Sequence, residues 1–353
     1  MATISLLDNK DHTFVIAEAG SNWKAGTYEE DLARARKLIE VASDAGADAV
    51  KFQTFRTETV YVPNAGVVDY LGEKGIKQSI NEIFENLSMP YEMIPELARF
   101  CKDKKIMFMS TPFSVEDVRQ IDPYVEIHKV ASYEINHIRL VEEICKTKKP
   151  IIISTGASTP DEISFVVDLV EKNGGGPFAL MQCTSKYPCP ISALNLSVIP
   201  NLKESYHVPV GLSDHSIEPD IAPLVAVGLG ASVVEKHFTL DKNLEGPDHG
   251  FALNPEELRL MIRAIREADS AKGPGKKIIL KEEEELRRFA TRAIQATKDI
   301  TKGEVLVEGQ NFDILRPGNQ PRGAEPRFTS LISHRHAKRD IKRGSGITLS
   351  DCE

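Results

Sequence analysis

Residues Val210 to Asp248 read VGLSDHSIEPDIAPLVAVGLGASVVEKHFTLDKNLEGPD. Two apolar runs, Val208 to Leu212 and Ala231 to Phe238, each break at the far end into polar residues that include one histidine, His215 and His237. Between them, Pro219 to Leu229 has the pattern of a short helix. Strand, helix, strand makes a βαβ unit whose parallel strands deliver their ends to the same edge of a sheet. His215 and His237 are thereby predicted to face one point, beside Asp214, Glu235 and Asp248. A lone histidine at a strand end usually serves a backbone carbonyl. Two converging ones predict a divalent metal held by few protein atoms.

The same alternation runs back toward the N-terminus. Phe14 to Ala19 is an apolar run ending near Glu18, and Tyr28 to Ala45 has helical spacing that Gly46 ends. Strands are predicted over Ala47 to Gln53, Ile106 to Ser110, Val125 to Ala131, Pro150 to Ser154 and Phe178 to Cys183. Helices are predicted over Pro90 to Lys104, Ser114 to Asp122, His137 to Lys146, Pro160 to Asn173, Ala193 to Glu204 (interrupted at Pro200) and Pro255 to Ala268. Pro95 either kinks the first of these or marks its true start. Eight strand-helix pairs in roughly 270 residues predict an α/β chain folded as a closed (β/α)₈ TIM barrel. An open doubly wound sheet is the alternative, but the first turn, Glu18-Ala19-Gly20-Ser21-Asn22, lacks the glycine fingerprint of that fold. Gln53 to Pro90 exceeds a normal loop and is expected to form a rim with a short helix near Ile76 to Phe84.

Lys272 to Ile279 reads as a linker and Lys281 to Phe289 as a charged helix. Beyond them lies a degenerate repeat. Lys298-Asp299-Ile300-Thr301-Lys302-Gly303 and Arg339-Asp340-Ile341-Lys342-Arg343-Gly344 precede the β-like runs Val305 to Val307 and Ile347 to Leu349. Three segments are thus predicted: a barrel over residues 1–271, a linker and helix over 272–289, and a small β-clip-like domain over 290–353, marginal on its own at that size.

Composition excludes several classes. The 353 residues are 41% hydrophobic and 27% charged, as in ordinary globular proteins. No apolar run approaches a membrane span, and the first residues lack a basic segment followed by an apolar one, so a cytoplasmic protein is expected. Five cysteines without a CxxC pair oppose both a disulfide framework and a thiolate zinc site. The net charge of −8 opposes nucleic-acid binding.

In barrels of this kind the C-terminal ends of the strands build the active site. Those ends supply Glu18; Lys51 and Gln53; Thr111; Lys129, Ser132 and Glu134; Ser154 and Thr155; Thr184, Ser185 and Tyr187; Ser213 and His215; and His237. Either lysine alone could snorkel to solvent. Two on neighbouring strand ends, with hydroxyls around them, predict a cavity for a phosphate and a carboxylate together, because burying an unpaired ammonium is expensive.

The segments KFQTF (Lys51 to Phe55), STPFS (Ser110 to Ser114), KVASYE (Lys129 to Glu134), ISTG (Ile153 to Gly156), CTSKYP (Cys183 to Pro188), GLSDHS, EKHFTL and GPDH (Gly246 to His249) resemble the N-acetylneuraminate (sialic acid) synthase family. Any one is weak, but the ordered set is specific, and it runs from about Phe14 to the end of the chain. The resemblance implies condensation of phosphoenolpyruvate with an N-acetylated mannose-type sugar, and an antifreeze-like (SAF) domain after the barrel. N-acetylmannosamine is the expected sugar, giving N-acetylneuraminate and phosphate. A diacetamido sugar, giving legionaminate or pseudaminate, is the alternative. Carried over by motif, Lys51, Thr111, Lys129, Ser132, Ser154, Ser185 and Ser213 would hold phosphoenolpyruvate. His215 and His237 would bind manganese, or magnesium or cobalt in its place. Glu18, Gln53, Tyr187 and Asp248 would hold the sugar, joined by Arg316 from the partner of a domain-swapped homodimer. Two departures fall on the sugar side: Trp23 stands where the family commonly has histidine, and Asn319-Gln320-Pro321-Arg322 follows Arg316-Pro317-Gly318 in place of a Gly-Ile pair.

Such chemistry needs a carboxylate to manage protons, and Glu134 is the expected catalytic residue, with an ion pair to Lys129 as its structural alternative. A phosphorylated sugar would need another basic cluster at the mouth, which the first 289 residues do not offer. An inert carbohydrate-binding or coat-assembly protein would have no use for both histidines and both lysines.

Overall fold

The computed structural model describes residues 7–67 and 78–353, which divide into two compact units, Met1–Pro274 and Gly275–Glu353. In the first, eight parallel strands alternate with helices: β1 (Phe14–Gly20), β2 (Ala49–Thr54), β3 (Met107–Pro112), β4 (His128–Val130), β5 (Ile151–Ser154), β6 (Phe178–Cys183), β7 (Val210–Asp214) and β8 (Val233–His237). Their order is β3-β2-β1-β8-β7-β6-β5-β4, so the first and last strands pair and the sheet curls into a barrel. β3 and β4 lie side by side at the seam without a backbone ladder. The strands are buried over almost their whole length, as strands covered on both faces must be.

Local signals fix the outer helices. Thr27 caps Tyr28–Ala45 through a reciprocal pair with Glu30, and Gly46 ends it at φ 85°, a left-handed conformation that glycine adopts without steric cost. Asn254 and Thr159 do the same for Pro255–Lys272 and Pro160–Lys172, each with proline at the first helical position. Pro95 and Pro200 both sit in the first turns of their helices, Met93–Lys104 and Val198–Tyr206, so neither kinks one. The predicted helix from Ala193 therefore starts later, after a separate 3₁₀ turn at Ile191–Ala193.

Helix Pro255–Lys272 locks the base of the barrel. Asp269 accepts hydrogen bonds from the Thr13 amide and hydroxyl, both at 2.7 Å, and pairs with Lys272 at 2.8 Å. Arg266 reaches Thr13 O at 2.6 Å and Asp48 Oδ2 at 2.7 Å, and that same carboxylate oxygen accepts from the Val15 amide.

The rim helix is Ile80–Leu87, capped by Ser79 and Glu82. It packs Ile80, Ile83 and Leu87 on Phe55. The part of the rim prediction at Ile76 and Lys77 lies outside the described residues.

The second unit holds helix Glu284–Ala290 and one antiparallel pair, β9 (Ala293–Ala296) with β10 (Phe312–Leu315). The runs Val305 to Val307 and Ile347 to Leu349 do not form strands. Val305 makes one isolated bridge, to His336; the second run follows the bridge of Gly346 with Gln295 and turns into the 3₁₀ helix Leu349–Asp351. The repeat is nonetheless structural: Ile300 and Ile341 exchange both backbone hydrogen bonds, Asp340 accepts from the Lys302 amide, and Asp299 accepts from the Arg343 amide. The two copies are thus related by an approximate two-fold.

Candidate active site

Register brings the polar strand ends together. Glu18 lies opposite both Lys51 and His237, and Ser213 lies opposite Glu235. Lys51 Nζ sits 2.6 Å from Glu18 Oε2, 2.9 Å from Thr111 Oγ1 and 3.6 Å from Glu235 Oε1. Lys129 Nζ donates to Ser154 Oγ at 2.7 Å and to Val130 O at 3.2 Å, and makes no ion pair among the described residues. All four charged groups are at least 95% buried.

Their titration follows from that burial. Burial pushes the Glu18 carboxyl up to about 7, against the pull of Lys51. Burial also works against the Lys51 ammonium, but Glu18 and Glu235 outweigh it and hold that group above its ordinary range. Glu18 is therefore the member of the pair that burial drives toward protonation. For Glu235 the two lysines overcome burial and keep the carboxylate low. Lys129 goes the other way: burial lowers it and Glu235 compensates only in part.

A hydroxyl wall continues from Lys129. The Gly156 amide donates to Ser132 Oγ at 3.0 Å. A β-carbon on Gly156 would stand 2.2 Å from Ser185 Oγ and 2.9 Å from Cys183 Sγ, so only glycine lets β5 and β6 bring these groups so close. Ser213 Oγ points at Glu235 Oε1, 3.5 Å away.

On the other side the two imidazoles face each other with ring centroids 5.5 Å apart. His215 Nδ1 lies 3.0 Å from Thr184 O, which assigns the proton to Nδ1 and leaves the Nε2 lone pair free. Burial pushes His237 down to about 4, so it is a neutral imidazole at physiological pH. Its Nδ1 and Glu235 Oε2 are buried without hydrogen-bond partners among the described residues. An imidazole nitrogen with an available lone pair suits a divalent cation. No group of three or more His, Cys, Asp or Glu side chains converges in metal-binding geometry among the described residues. Such an ion would therefore take most of its ligands from water or substrate.

The Tyr187 ring packs 4.2 Å from that of His215 and 5.5 Å from that of Phe251. Asp248 receives the Ser21 hydroxyl at 3.1 Å and approaches His237 Nδ1 at 3.9 Å. Gln53 donates to Glu18 Oε1 at 2.9 Å. Glu134 lies half-buried in the single turn Ser132–Glu134, where burial alone lifts its carboxyl to about 7. It makes no ion pair with Lys129 among the described residues; Lys129 turns to Ser154 instead. Arg316 follows β10 in the second unit and is exposed.

Two expectations fail. Asp214 does not face the histidines: residues alternate across a strand, so with Ser213 and His215 turned inward it points out and pairs with Lys236. Trp23 is not at the mouth. It is 1% exposed within the core that includes Ala19, Phe238 and Leu253, while the neighbouring Asn22 amide donates to Phe238 O.

Two contributors had no assigned role. Glu235 was legible, since it stands two residues before His237 and so shares its face. Phe251, whose ring lies 5.2 Å from that of His237, follows no periodic signal.

A family model described as NeuB matches residues 38–277, and a SAF domain model matches residues 291–353. The chain belongs to the NeuB family. It is 39% identical to the spore coat polysaccharide biosynthesis protein SpsE of Bacillus subtilis, covering 96% of this chain and 93% of that one. It is 37% identical to the pseudaminic acid synthase of Campylobacter jejuni, with 96% of each covered. Among solved structures, the N-acetylneuraminic acid synthetase of Leptospira borgpetersenii in complex with citrate superposes with a TM-score of 0.69 at 32% identity, covering 78% of this chain and 90% of that one. The eight-stranded barrel of this NeuB-family chain and its small antiparallel end domain fit both family assignments.

Proposed function

We infer that this protein condenses phosphoenolpyruvate with an open-chain N-acetylated amino sugar to give a nonulosonic acid and inorganic phosphate. The observation that carries this reading is Lys129, a buried ammonium with no carboxylate in contact among the described residues, beside hydroxyls from β5 and the turn after β4. An isolated buried cation is costly, and an anionic ligand removes the cost. Lys51, Thr111, Ser132, Ser154, Ser185 and Ser213 complete the cradle for phosphate and carboxylate.

The reaction adds the methylene carbon of phosphoenolpyruvate to the sugar aldehyde. Water then adds to the resulting cationic C2, and breakage of the C2–O bond releases phosphate. His215 and His237 would hold a divalent ion, manganese for preference, which supplies Lewis-acid polarisation of the aldehyde. Glu134, with its carboxyl near 7, holds and returns the proton at neutral pH. Tyr187, Asp248, Gln53 and Glu18 orient the sugar, and Arg316 joins them from the partner of a homodimer.

N-acetylmannosamine is the first sugar to test. The similarity to a pseudaminic acid synthase favours a diacetamido sugar as the second reading. Phosphate release is measured with phosphoenolpyruvate, manganese and a panel of N-acetylmannosamine, diacetamido hexoses and a phosphorylated analogue. Release that needs both substrates supports the reading. Release with none of the sugars, in protein that binds both metal and phosphoenolpyruvate, defeats it.

A further inference from the structure

The backbone ladder between β7 and β8 ends at the pair Asp214 and Lys236. His215 lies one residue beyond that end, so no strand pairing ties it to the segment carrying His237. Outside the barrel wall, a second structure takes over. Lys236 Nζ contacts Asp214 Oδ2, Ser216 O at 2.7 Å and Ser216 Oγ at 3.1 Å, occupying its three donors. Asp214 Oδ1 accepts from the Ser216 amide at 2.8 Å, and Oδ2 accepts from the Ser216 hydroxyl at 3.0 Å. Lys236 is 2% exposed, and Asp214 and Ser216 are each 1% exposed. The three residues bracket His215 on both sides in sequence and precede His237 by one.

We propose that the Asp214–Lys236–Ser216 cluster is a positioning clamp that sets the separation of the His215 and His237 imidazoles from behind the barrel wall. The inference rests on the reading of those histidines as metal ligands and adds to it the residues that hold them apart. A buried ion pair of this kind is a poor source of stability, since its desolvation cost offsets most of its attraction. It restricts geometry instead: the three Lys236 donors and both Asp214 carboxylate oxygens are engaged within the cluster. His215 has other restraints, since Nδ1 faces Thr184 O, its carbonyl accepts from the Cys189 amide at 2.9 Å, and Tyr187 packs on its ring. The backbone bonds tie it to the β6 side, and the clamp adds a hydrogen-bonded tie from its segment to β8, alongside the ring contacts that Tyr187 and His215 make with His237.

The test compares manganese affinity in the full chain, by titration calorimetry or by the spin-resonance signal of free manganese. The variants are the double substitution Asp214→Leu with Lys236→Met, which removes both charges together, and Ser216→Ala, which removes the two hydrogen bonds of the hydroxyl and leaves the ion pair. Phosphoenolpyruvate affinity without metal and the thermal midpoint without metal are measured alongside. A supporting partner of metal ligands is worth about 10- to 100-fold in affinity. The double variant should therefore bind manganese at least about tenfold more weakly while phosphoenolpyruvate affinity stays within about twofold. Ser216→Ala should fall between it and the parent. If the double variant does not fold, Ser216→Ala alone decides: a loss of manganese affinity supports the clamp, and parental affinity overturns it. Parental manganese affinity in a folded double variant overturns it as well. If the parent protein itself binds no manganese, the ligand assignment fails, a different result from a parent and variant that bind equally.

Discussion

Lys129 Nζ stands 2.7 Å from Ser154 Oγ and pairs with no carboxylate among the described residues, whereas Lys51 stands 2.6 Å from Glu18. Lys51 is thus paired within the protein, and on the proposed reading Lys129 takes the anion. Lys129→Ala should lower kcat/KM for phosphoenolpyruvate by roughly 2–5 kcal/mol, about 30- to 5,000-fold, with a much smaller change in the apparent affinity for the sugar. Steady-state kinetics with each substrate varied in turn separates these. Equal losses for both would mean a collapsed site.

Glu134 supplies a pH signature. Its folded-state pKa, about 7, lies above the ordinary carboxylate value of 4.5, so the folded protein binds the extra proton between those limits. Stability from this group is complete below about 4.5 and is lost as pH rises through 7. Glu134→Gln should therefore raise the melting temperature at pH 8 relative to the parent and change it little at pH 4.5. Turnover should fall roughly 10²- to 10⁴-fold, and any limb of the rate profile near pH 7 should vanish. A melting difference of the same size at both pH values would show that the carboxyl titrates normally.

Asp269 has the opposite sign. Burial works against its charge, but Lys272 and the Thr13 amide and hydroxyl outweigh it and hold the carboxyl below its ordinary value. Its contribution is present above about 4 and disappears as pH falls through the depressed value. Asp269→Ala should cost about 1–3 kcal/mol at pH 7, measured by denaturant unfolding, and the gap should close toward pH 2. No effect at pH 7 would remove Asp269 from the base lock.

Chelation should abolish turnover without unfolding the barrel, because the apolar clusters between wall and helices and inside the barrel do not include the two imidazoles. Manganese should restore activity. Chelator-resistant turnover in His237→Ala would sink the metal assignment.

Exchange of subunits tests where Arg316 acts. Arg316→Ala and His215→Ala should each be nearly inactive, and mixing them should recover activity well above either if the arginine serves the partner's barrel. Demonstrated exchange with no recovery would place each arginine on its own chain's sugar.

The barrel was legible because its strands are continuous apolar runs bounded by glycine, proline or polar residues, and its helices carry their caps in sequence, as Thr27 with Glu30 shows. The mouth was legible for the same reason: polar residues at the ends of such runs have nowhere else to go. What sequence alone did not give is facing. Asp214 sits between two inward residues and could be read as a neighbour of either, until the ladder opposes it to Lys236. Trp23 follows a turn of small polar residues, and nothing local to it announces the core pocket made by Phe238 and Leu253, over 200 residues away in the chain. The end domain was legible from its repeat, but its strand runs were not: Val305 makes a single bridge to His336, and Leu349 begins a 3₁₀ turn.

The burial of Trp23 gives the molecule a built-in reporter. It is the only tryptophan in the chain, and it belongs wholly to the first unit. Its emission will shift to the red when water reaches the core that holds Ala19, Phe238 and Leu253. Proteins of two units need not unfold in one step. Following indole fluorescence beside far-ultraviolet circular dichroism would resolve the melting of the barrel from that of the end domain without a label or a mutation.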